Sequence, residues 1–82
     1  MTQNVQTEII ELRRCAAGLS RSALTSRARV HYGMAWRRLT NKTAFPPAEV
    51  ARLLAVLDDA DLEQRDARSA IAVLQTAYSA EV

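Results

Sequence analysis

No acidic residue occurs between Glu11 and Glu49, a stretch that contains eight lysines and arginines. Residues 1–46 therefore carry a formal charge of +6 and residues 47–82 carry −4, although the whole chain sums to only +2. A basic half in so small a protein attracts polyanions, of which nucleic acid is the commonest in cells. The alternative from charge alone is a solvated basic face without a partner. The charge pattern favours a nucleic-acid partner.

Glycine and proline occur only twice each, and cysteine once, in a chain of 82 residues. The scarcity of glycine and proline leaves few forced turns. A single cysteine excludes an internal disulfide, and Cys15 has no Cys or His neighbour at the spacing of metal ligands. We expect Cys15 to fill a small buried position on a helix.

No apolar run approaches the length of a membrane span, and the first residues are polar without the basic start and apolar middle of a signal peptide. A cytoplasmic location without membrane contact is the default expectation. No constellation of nucleophile, base and stabiliser can be assembled from the sequence. We therefore expect no catalytic residue, no metal, no cofactor and no small-molecule ligand.

Helix-forming residues dominate and no strand-like alternation persists, so the pattern predicts a single all-α domain over residues 1–82. We expect five helices, at about residues 4–17, 21–28, 32–40, 47–57 and 62–79. Gly18 is placed to end the first helix in a left-handed turn, and Ser20 to cap the second. Residues 58–61, with the sequence Asp-Asp-Ala-Asp, are expected to form a turn that separates the last two helices.

Apolar residues recur at helical spacing on the predicted helices. The first helix carries the stripe Val5, Ile9, Leu12 and Ala16, and the fifth carries a face made of Ala67, Ala70, Ile71, Leu74, Ala77 and Tyr78. The inward residues of the second and fourth helices are Leu24, Ala28, Val50, Leu53, Leu54 and Leu57. In the third helix we expect Trp36 inside with Leu39 or Ala35, because a lone tryptophan is usually a core anchor.

Two short helices joined by a tight turn, the second rich in polar and basic side chains, are an arrangement that reads DNA. Residues 17–24 (Ala-Gly-Leu-Ser-Arg-Ser-Ala-Leu), 30–42 and 50–57, with Pro46, resemble the lambda-repressor-like helix-turn-helix family. Phage repressors, Cro-type proteins and many small bacterial regulators share this domain. The resemblance covers over half of the chain and implies a helix-turn-helix core at about 4–57. With an added C-terminal helix at about 61–80, the expectation is a five-helix lambda-repressor-like domain.

Under this resemblance the third helix enters the major groove of DNA, where arginine is suited to both guanine and phosphate. The candidate base-reading residues are His31, Tyr32, Gly33, Met34, Arg37 and Arg38. The candidate phosphate-binding residues are Arg14, Ser20, Arg21, Ser22, Arg29, Asn41, Lys42 and Thr43.

Two positions depart from the family pattern. Arg29 stands in the turn where the family usually has glycine, and a left-handed backbone there costs another residue roughly 1 kcal/mol. Arg38 stands where an apolar residue is expected. If the turn is one residue longer, Leu39 and Trp36 lie inside, and the outward set shifts toward His31, Ala35 and Arg38. Both registers of the third helix are open at this point.

These features predict a sequence-specific transcriptional regulator of the phage, prophage or plasmid repressor kind, bound to double-stranded DNA and then associated with the nucleoid. Ile71, Leu74 and Tyr78 are candidates for a homodimer interface, because such regulators usually bind DNA as dimers. One alternative is a small helical adaptor or inhibitor that binds an acidic surface of a host protein. Another is a tetrameric phage activator of the lambda CII type.

Overall fold

The computed structural model describes residues 4–81, which form four α-helices and no strand. They are α1 (Val5–Ala17), α2 (Arg21–Ala28), α3 (Tyr32–Asn41) and α4 (Pro47–Glu81). The all-α prediction is confirmed, and the bounds of the first three helices agree with expectation to within one residue. The prediction of five helices is wrong, because one helix of 35 residues stands where two were expected.

Capping side chains fix where the first three helices begin. Asn4, Ser20 and His31 each accept a hydrogen bond from the backbone N–H three residues further on, at 3.0, 3.0 and 3.3 Å. Each such bond satisfies one of the amide groups that a helix leaves free at its start. Gly18 ends α1 in the left-handed conformation, with φ of 72°, which glycine adopts without steric cost. The caps expected at Ser20 and Gly18 are thereby confirmed.

The core lies where α1, α2 and α3 meet the first part of α4. Its buried side chains are Ile10, Leu24, Ala28, Val30, Ala35, Leu39, Phe45, Leu53 and Leu57. Leu19, Val50, Leu54 and Val56 pack against them and are partly buried. Each fully buried leucine contributes about 1.5–3 kcal/mol through the apolar area that it removes from water. The inward positions predicted for α2 and for the start of α4 are confirmed.

Polar contacts tie the start of α1 to the segment between α3 and α4. The hydroxyl of Thr7 donates to the carbonyl oxygen of Thr43 at 2.8 Å. The backbone N–H of Asn4 donates to the carbonyl oxygen of Lys42, also at 2.8 Å. Thr7 is 1% exposed, and the hydrogen bond to Thr43 satisfies its buried hydroxyl.

Helix α4 continues through residues 58–61, where a turn was expected. This segment contains neither glycine nor proline, and Ala60 is buried in line with Leu57. A terminal nitrogen of Arg13 donates to a carboxylate oxygen of Asp58 and to one of Asp61, both at 2.7 Å. The two aspartates lie one turn apart on the side of α4 that faces α1. They make ion pairs between helices, and no turn is needed to accommodate them.

The C-terminal half of α4 leaves the globular part of the molecule. Gln64 is the last described residue whose side chain hydrogen-bonds another helix, with its amide nitrogen 3.1 Å from the carbonyl oxygen of Ala17. Every side chain described from 65 to 79 is exposed. The molecule therefore measures 58 Å along its longest axis, against 25 and 17 Å along the others. No helix within residues 4–81 combines the length and the apolar character needed to cross a bilayer.

Helix α1 turns its apolar stripe away from the core. Val5 and Leu12 of this stripe are 66% and 70% exposed, whereas Thr7 and Ile10 on the opposite side are 1% and 0% exposed. Cys15 is also exposed, so the buried position predicted for it is wrong. It lies more than a third of a turn around α1 from Ile10, because five residues rotate a helix by about 140° beyond a full turn.

Candidate nucleic-acid interface

Three residues, Arg29, Val30 and His31, connect α2 to α3. Arg29 has a left-handed backbone with φ of 57° and ψ of 46°, the conformation that costs a non-glycine residue roughly 1 kcal/mol. Val30 is 7% exposed, and its N–H donates to the carbonyl oxygen of Thr25 at 3.0 Å. The side chain of His31 caps α3. The connection is thus anchored in the core and at both helix ends, which sets the direction of α3.

Helix α3 buries one side and exposes the other. Ala35 and Leu39 are both fully buried. Gly33, Arg37 and Asn41 follow one another at four-residue steps on the opposite side, and all three are exposed. In this register Arg37 points outward and Leu39 points inward, while Ala35 takes the other inner position.

Trp36 lies on the surface, and the expectation of a core tryptophan is wrong. Its side chain is 46% exposed. The guanidinium of Arg21 lies over the indole ring, 5.7 Å from its centre, and also donates to the hydroxyl of Thr40 at 3.0 Å. Because Ala35 occupies the buried line of α3, the next residue is rotated about 100° away from the core.

The two neighbouring arginines of α3 have different environments. A terminal nitrogen of Arg38 donates to a carboxylate oxygen of Glu49 at 3.2 Å, and its guanidinium lies over the ring of Phe45 at 5.5 Å. The side chains of this ion pair are only 20% and 17% exposed. Arg38 therefore fills the position expected for an apolar residue by packing inside the fold. Arg37 is exposed and forms no ion pair within the part of the chain that the structure describes.

Glu11 binds two of the candidate phosphate-binding residues. Its carboxylate accepts hydrogen bonds from Arg14 at 2.7 and 2.9 Å and from Arg21 at 2.9 and 3.2 Å. Arg14 also donates to the carbonyl oxygen of Leu19 at 2.7 Å. The hydrogen bonds from Arg14, and then those from Arg21, lower the pKa of Glu11 from 4.5 to about 2 against the opposing effect of burial. The same contact raises the pKa of Arg14, so this ion pair stays charged and Arg14 serves the fold.

The other candidate residues remain accessible to different degrees. The exposed phosphate candidates are Ser20, Ser22, Arg29, Asn41 and Thr43. Lys42 is half-buried and donates to the carbonyl oxygen of Leu39 at 3.2 Å, at the end of α3. Tyr32 and Met34 are 51% and 50% exposed. Most of the predicted surface is therefore available to a partner.

Sequence patterns did not single out Arg27 on α2 and Thr40 on α3. Both are exposed, and Thr40 accepts the hydrogen bond from Arg21. The outward position of Arg27 could be predicted from the sequence, because Leu24 and Ala28 mark the buried side of α2 and Arg27 is rotated about 100° from Ala28.

The candidates for a dimer interface lie apart from α3 in the chain, on the projecting part of α4. Ile71, Leu74 and Tyr78 are 53%, 68% and 72% exposed. Across residues 4–81, no group of three or more His, Cys, Asp or Glu side chains is placed to hold a metal ion.

Comparison of the chain with protein-family models, with curated proteins and with solved structures gave no match. What the protein does is therefore inferred from the geometry of α2 and α3 and from the charges around them.

Proposed function

We propose that this protein is a sequence-specific DNA-binding regulator, in which α2 and α3 form a helix-turn-helix unit and α3 enters the major groove. The observation that carries this proposal is the position of Arg37, exposed on α3 directly opposite the buried Ala35 and Leu39. The major groove admits one α-helix, and an arginine that points from it can donate two hydrogen bonds to guanine. Gly33, one turn before Arg37, has no side chain to hold the α3 backbone away from the base edges.

The charges around α3 support an anionic partner. Arg27, Arg29 and Arg37 are exposed and make no ion pair among residues 4–81. Residues 5–57 contain only three acidic side chains, and two of them, Glu11 and Glu49, are paired with arginine. The surface around α3 is therefore basic, as binding to a phosphate backbone requires.

The accessible candidates divide into two roles in this proposal. Tyr32, Gly33, Met34 and Arg37 face the bases. The phosphates are bound from both sides of α3 by Ser20, Ser22, Arg29, Asn41, Lys42 and Thr43, together with Arg27. Arg14, Arg21 and Arg38 are assigned to the fold, because Glu11 and Glu49 already bind them.

We place the protein among repressors of phage, prophage or plasmid origin on the resemblance of residues 17–24 and 30–42 to the lambda-repressor-like family. Two copies bind together, since one reading helix contacts too few base pairs for specific binding. The exposed apolar residues Ile71, Leu74 and Tyr78 support a homodimer.

The variant Arg37→Ala tests the role of α3. With a duplex selected from random oligonucleotides, we expect it to lose roughly 1–3 kcal/mol of specific binding and to relax the preference at one base pair. Fluorescence anisotropy measures the affinity. The matched control Arg65→Ala removes the same charge from the exposed part of α4 and is expected to bind normally. Equal losses of affinity in the two variants would mean that Arg37 acts only through unspecific charge attraction, and would contradict its role in reading bases.

The salt dependence of binding tests the phosphate contacts. With about four contacts per protomer, the slope of log affinity against log salt is expected to be roughly −3 to −4 per protomer. Arg14, Arg21 and Arg38 are not included among these contacts, because each is already paired with a carboxylate of the protein. A flat response, or no binding to duplex DNA at low salt, would overturn the proposed function.

A second candidate function is that of an adaptor that binds another protein through α1. It is favoured by the stripe Val5, Ile9, Leu12 and Ala16, which lies exposed on the side of α1 opposite the core. Apolar residues grouped in this way on a surface often mark a protein contact. The measurement with the selected duplex separates the two functions, because an adaptor that binds through α1 shows no preference for one base sequence over another.

A further inference from the structure

The apolar stripe of α4 keeps one spacing from the core to the end of the described helix. Its positions are separated alternately by four and three residues, and all but Gln64 are apolar: Leu53, Leu57, Ala60, Gln64, Ala67, Ile71, Leu74 and Tyr78. This is the heptad spacing of coiled coils, in which positions a and d share one side of a helix. The first three positions are buried within one copy of the chain, whereas the last three are more than half exposed. The exposed part of the stripe therefore has the pattern that a second helix covers.

Two charged residues beside the exposed part of the stripe indicate what that second helix is. Glu63 precedes Gln64 at a g position, and Arg68 follows Ala67 at an e position. In a parallel coiled coil, the g residue of one helix faces the e residue five places further on in its partner, and such pairs set the choice and orientation of partners. In a parallel pair of two copies of this chain, Glu63 of one copy would face Arg68 of the other, and the reverse pair would form at the same time.

Contacts within one copy do not account for Glu63 and Arg68. They lie on opposite flanks of the stripe, too far around α4 to meet each other. Neither residue takes part in an ion pair within the described part of a single chain. The next g and e residues with this five-residue spacing, Ala70 and Gln75, are uncharged. The complementary charges therefore favour a second copy of this chain in parallel register.

We propose that residues 63–79 of α4 pair with the same segment of a second copy as a parallel, in-register, two-stranded coiled coil. Ala67, Ile71, Leu74 and Tyr78 form its seam, and Glu63 and Arg68 pair across it. The two-fold axis runs along the coil, so both globular parts lie at the same end of the dimer. The seam from Ala67 to Tyr78 spans less than two heptads, and pairing is therefore reversible and dependent on concentration.

Charge reversal tests this arrangement without any DNA. Glu63→Arg places two arginines opposite each other at both pairs, and Arg68→Glu places two glutamates there. Each variant alone is expected to weaken self-association about tenfold, and the double variant to restore it. An equimolar mixture of the two single variants is expected to form mixed dimers in preference to dimers of either kind. Sedimentation equilibrium over a wide concentration range measures all four cases.

Asp66→Arg is the matched control, because it makes the same change of charge as Glu63→Arg on a part of α4 turned away from the stripe. It is expected to leave self-association unchanged, and far-UV circular dichroism checks that all variants stay helical. Parallel pairing is overturned if Asp66→Arg weakens association as much as Glu63→Arg, or if the double variant fails to recover.

The oligomeric state of the unmodified chain provides a separate check. A monomer at the highest concentration overturns the coiled coil, and a tetramer overturns the two-stranded form. These results do not decide whether α3 binds DNA, since DNA affinity is measured independently with Arg37→Ala. Failure of one proposal can therefore be recognised without failure of the other.

Discussion

The two halves of α4 carry the same apolar spacing in opposite environments. Leu53 and Leu57 are fully buried, whereas Leu74 and Tyr78 are 68% and 72% exposed. The difference arises from the neighbours of the helix. Helices α1 and α2 pack beside its first half and Arg38 of α3 binds Glu49 near its start, whereas every side chain described from 65 to 79 is exposed. Periodicity thus defines which side of a helix needs to be covered, but leaves open whether the cover comes from the same chain.

In α1 too, the apolar pattern alone does not decide which side is covered. Its outward stripe is more apolar than its inner side, which combines Ile10 with the hydrogen-bonded Thr7 and the ion-paired Arg14. A helix therefore does not always bury its more apolar side. In α1 specific polar contacts, together with Ile10, decide which side faces the core.

The largest difference in the free energy of unfolding is expected when one leucine in each half of α4 is truncated to alanine. Leu57→Ala opens a cavity in the core and is expected to lower the free energy of unfolding by about 3 kcal/mol. Leu74→Ala is expected to lower it by less than about 0.5 kcal/mol when the protein is dilute enough to be monomeric. Urea denaturation measures both. Equal losses would mean that Leu74 is covered within its own chain.

The partly buried ion pairs sharpen the contrast, because those found among residues 4–81 belong to the globular half of the molecule. Glu11→Gln removes the partner of Arg14 and Arg21 and is expected to cost about 2 kcal/mol at neutral pH. Glu63→Gln on the projecting half of α4 is the control and is expected to leave the monomer's stability unchanged. Thermal unfolding of the three proteins measures the difference.

The pH dependence of this effect has a defined sign. The pKa of Glu11 is about 2 in the folded protein, below its ordinary value of 4.5. The unfolded chain therefore takes up the proton first, and the stabilisation by Glu11 is complete above pH 4.5 and is lost as the pH falls toward 2. The advantage of the unmodified protein over Glu11→Gln is expected to shrink in this range. A constant difference would contradict the ion-pair explanation.

The smallest loss of stability is expected from a substitution at the point where the two halves of α4 meet. Arg13 pairs there with Asp58 and Asp61, whose side chains are 67% and 52% exposed. Because water screens such contacts, Arg13→Ala is expected to lower the free energy of unfolding by only about 0.5 kcal/mol. Urea denaturation at low and high salt checks this value, and the loss is expected to disappear in high salt. A loss that persists in salt would point to packing of the Arg13 stem.

The limits of the first three helices could be predicted from the sequence because they are set locally. Ser20 and Gly18 satisfy backbone groups within a few residues of themselves, and this chemistry is visible in the chain. The acidic residues 58–61 also suggest a turn on local grounds. Their role is set by Arg13, more than forty residues earlier in the chain, and local propensity does not contain this contact.

The candidate interface could be predicted only in part, for the same reason. The outward position of Arg37 follows from helical spacing, whereas hydrophobicity alone placed Trp36 inside. The buried line of Ala35 and Leu39 outweighed that preference. Whether an arginine is free for a partner depends on distant carboxylates such as Glu11 and Glu49, whose positions only the fold supplies.

The location of Trp36 makes the protein its own optical probe. It is the chain's only tryptophan, and its indole lies half exposed on α3 beside Arg21. Selective excitation of this ring therefore reports on the α3 surface without an attached dye. Any molecule that covers the ring changes its emission, and the stoichiometry of the complex can be read from the titration end point.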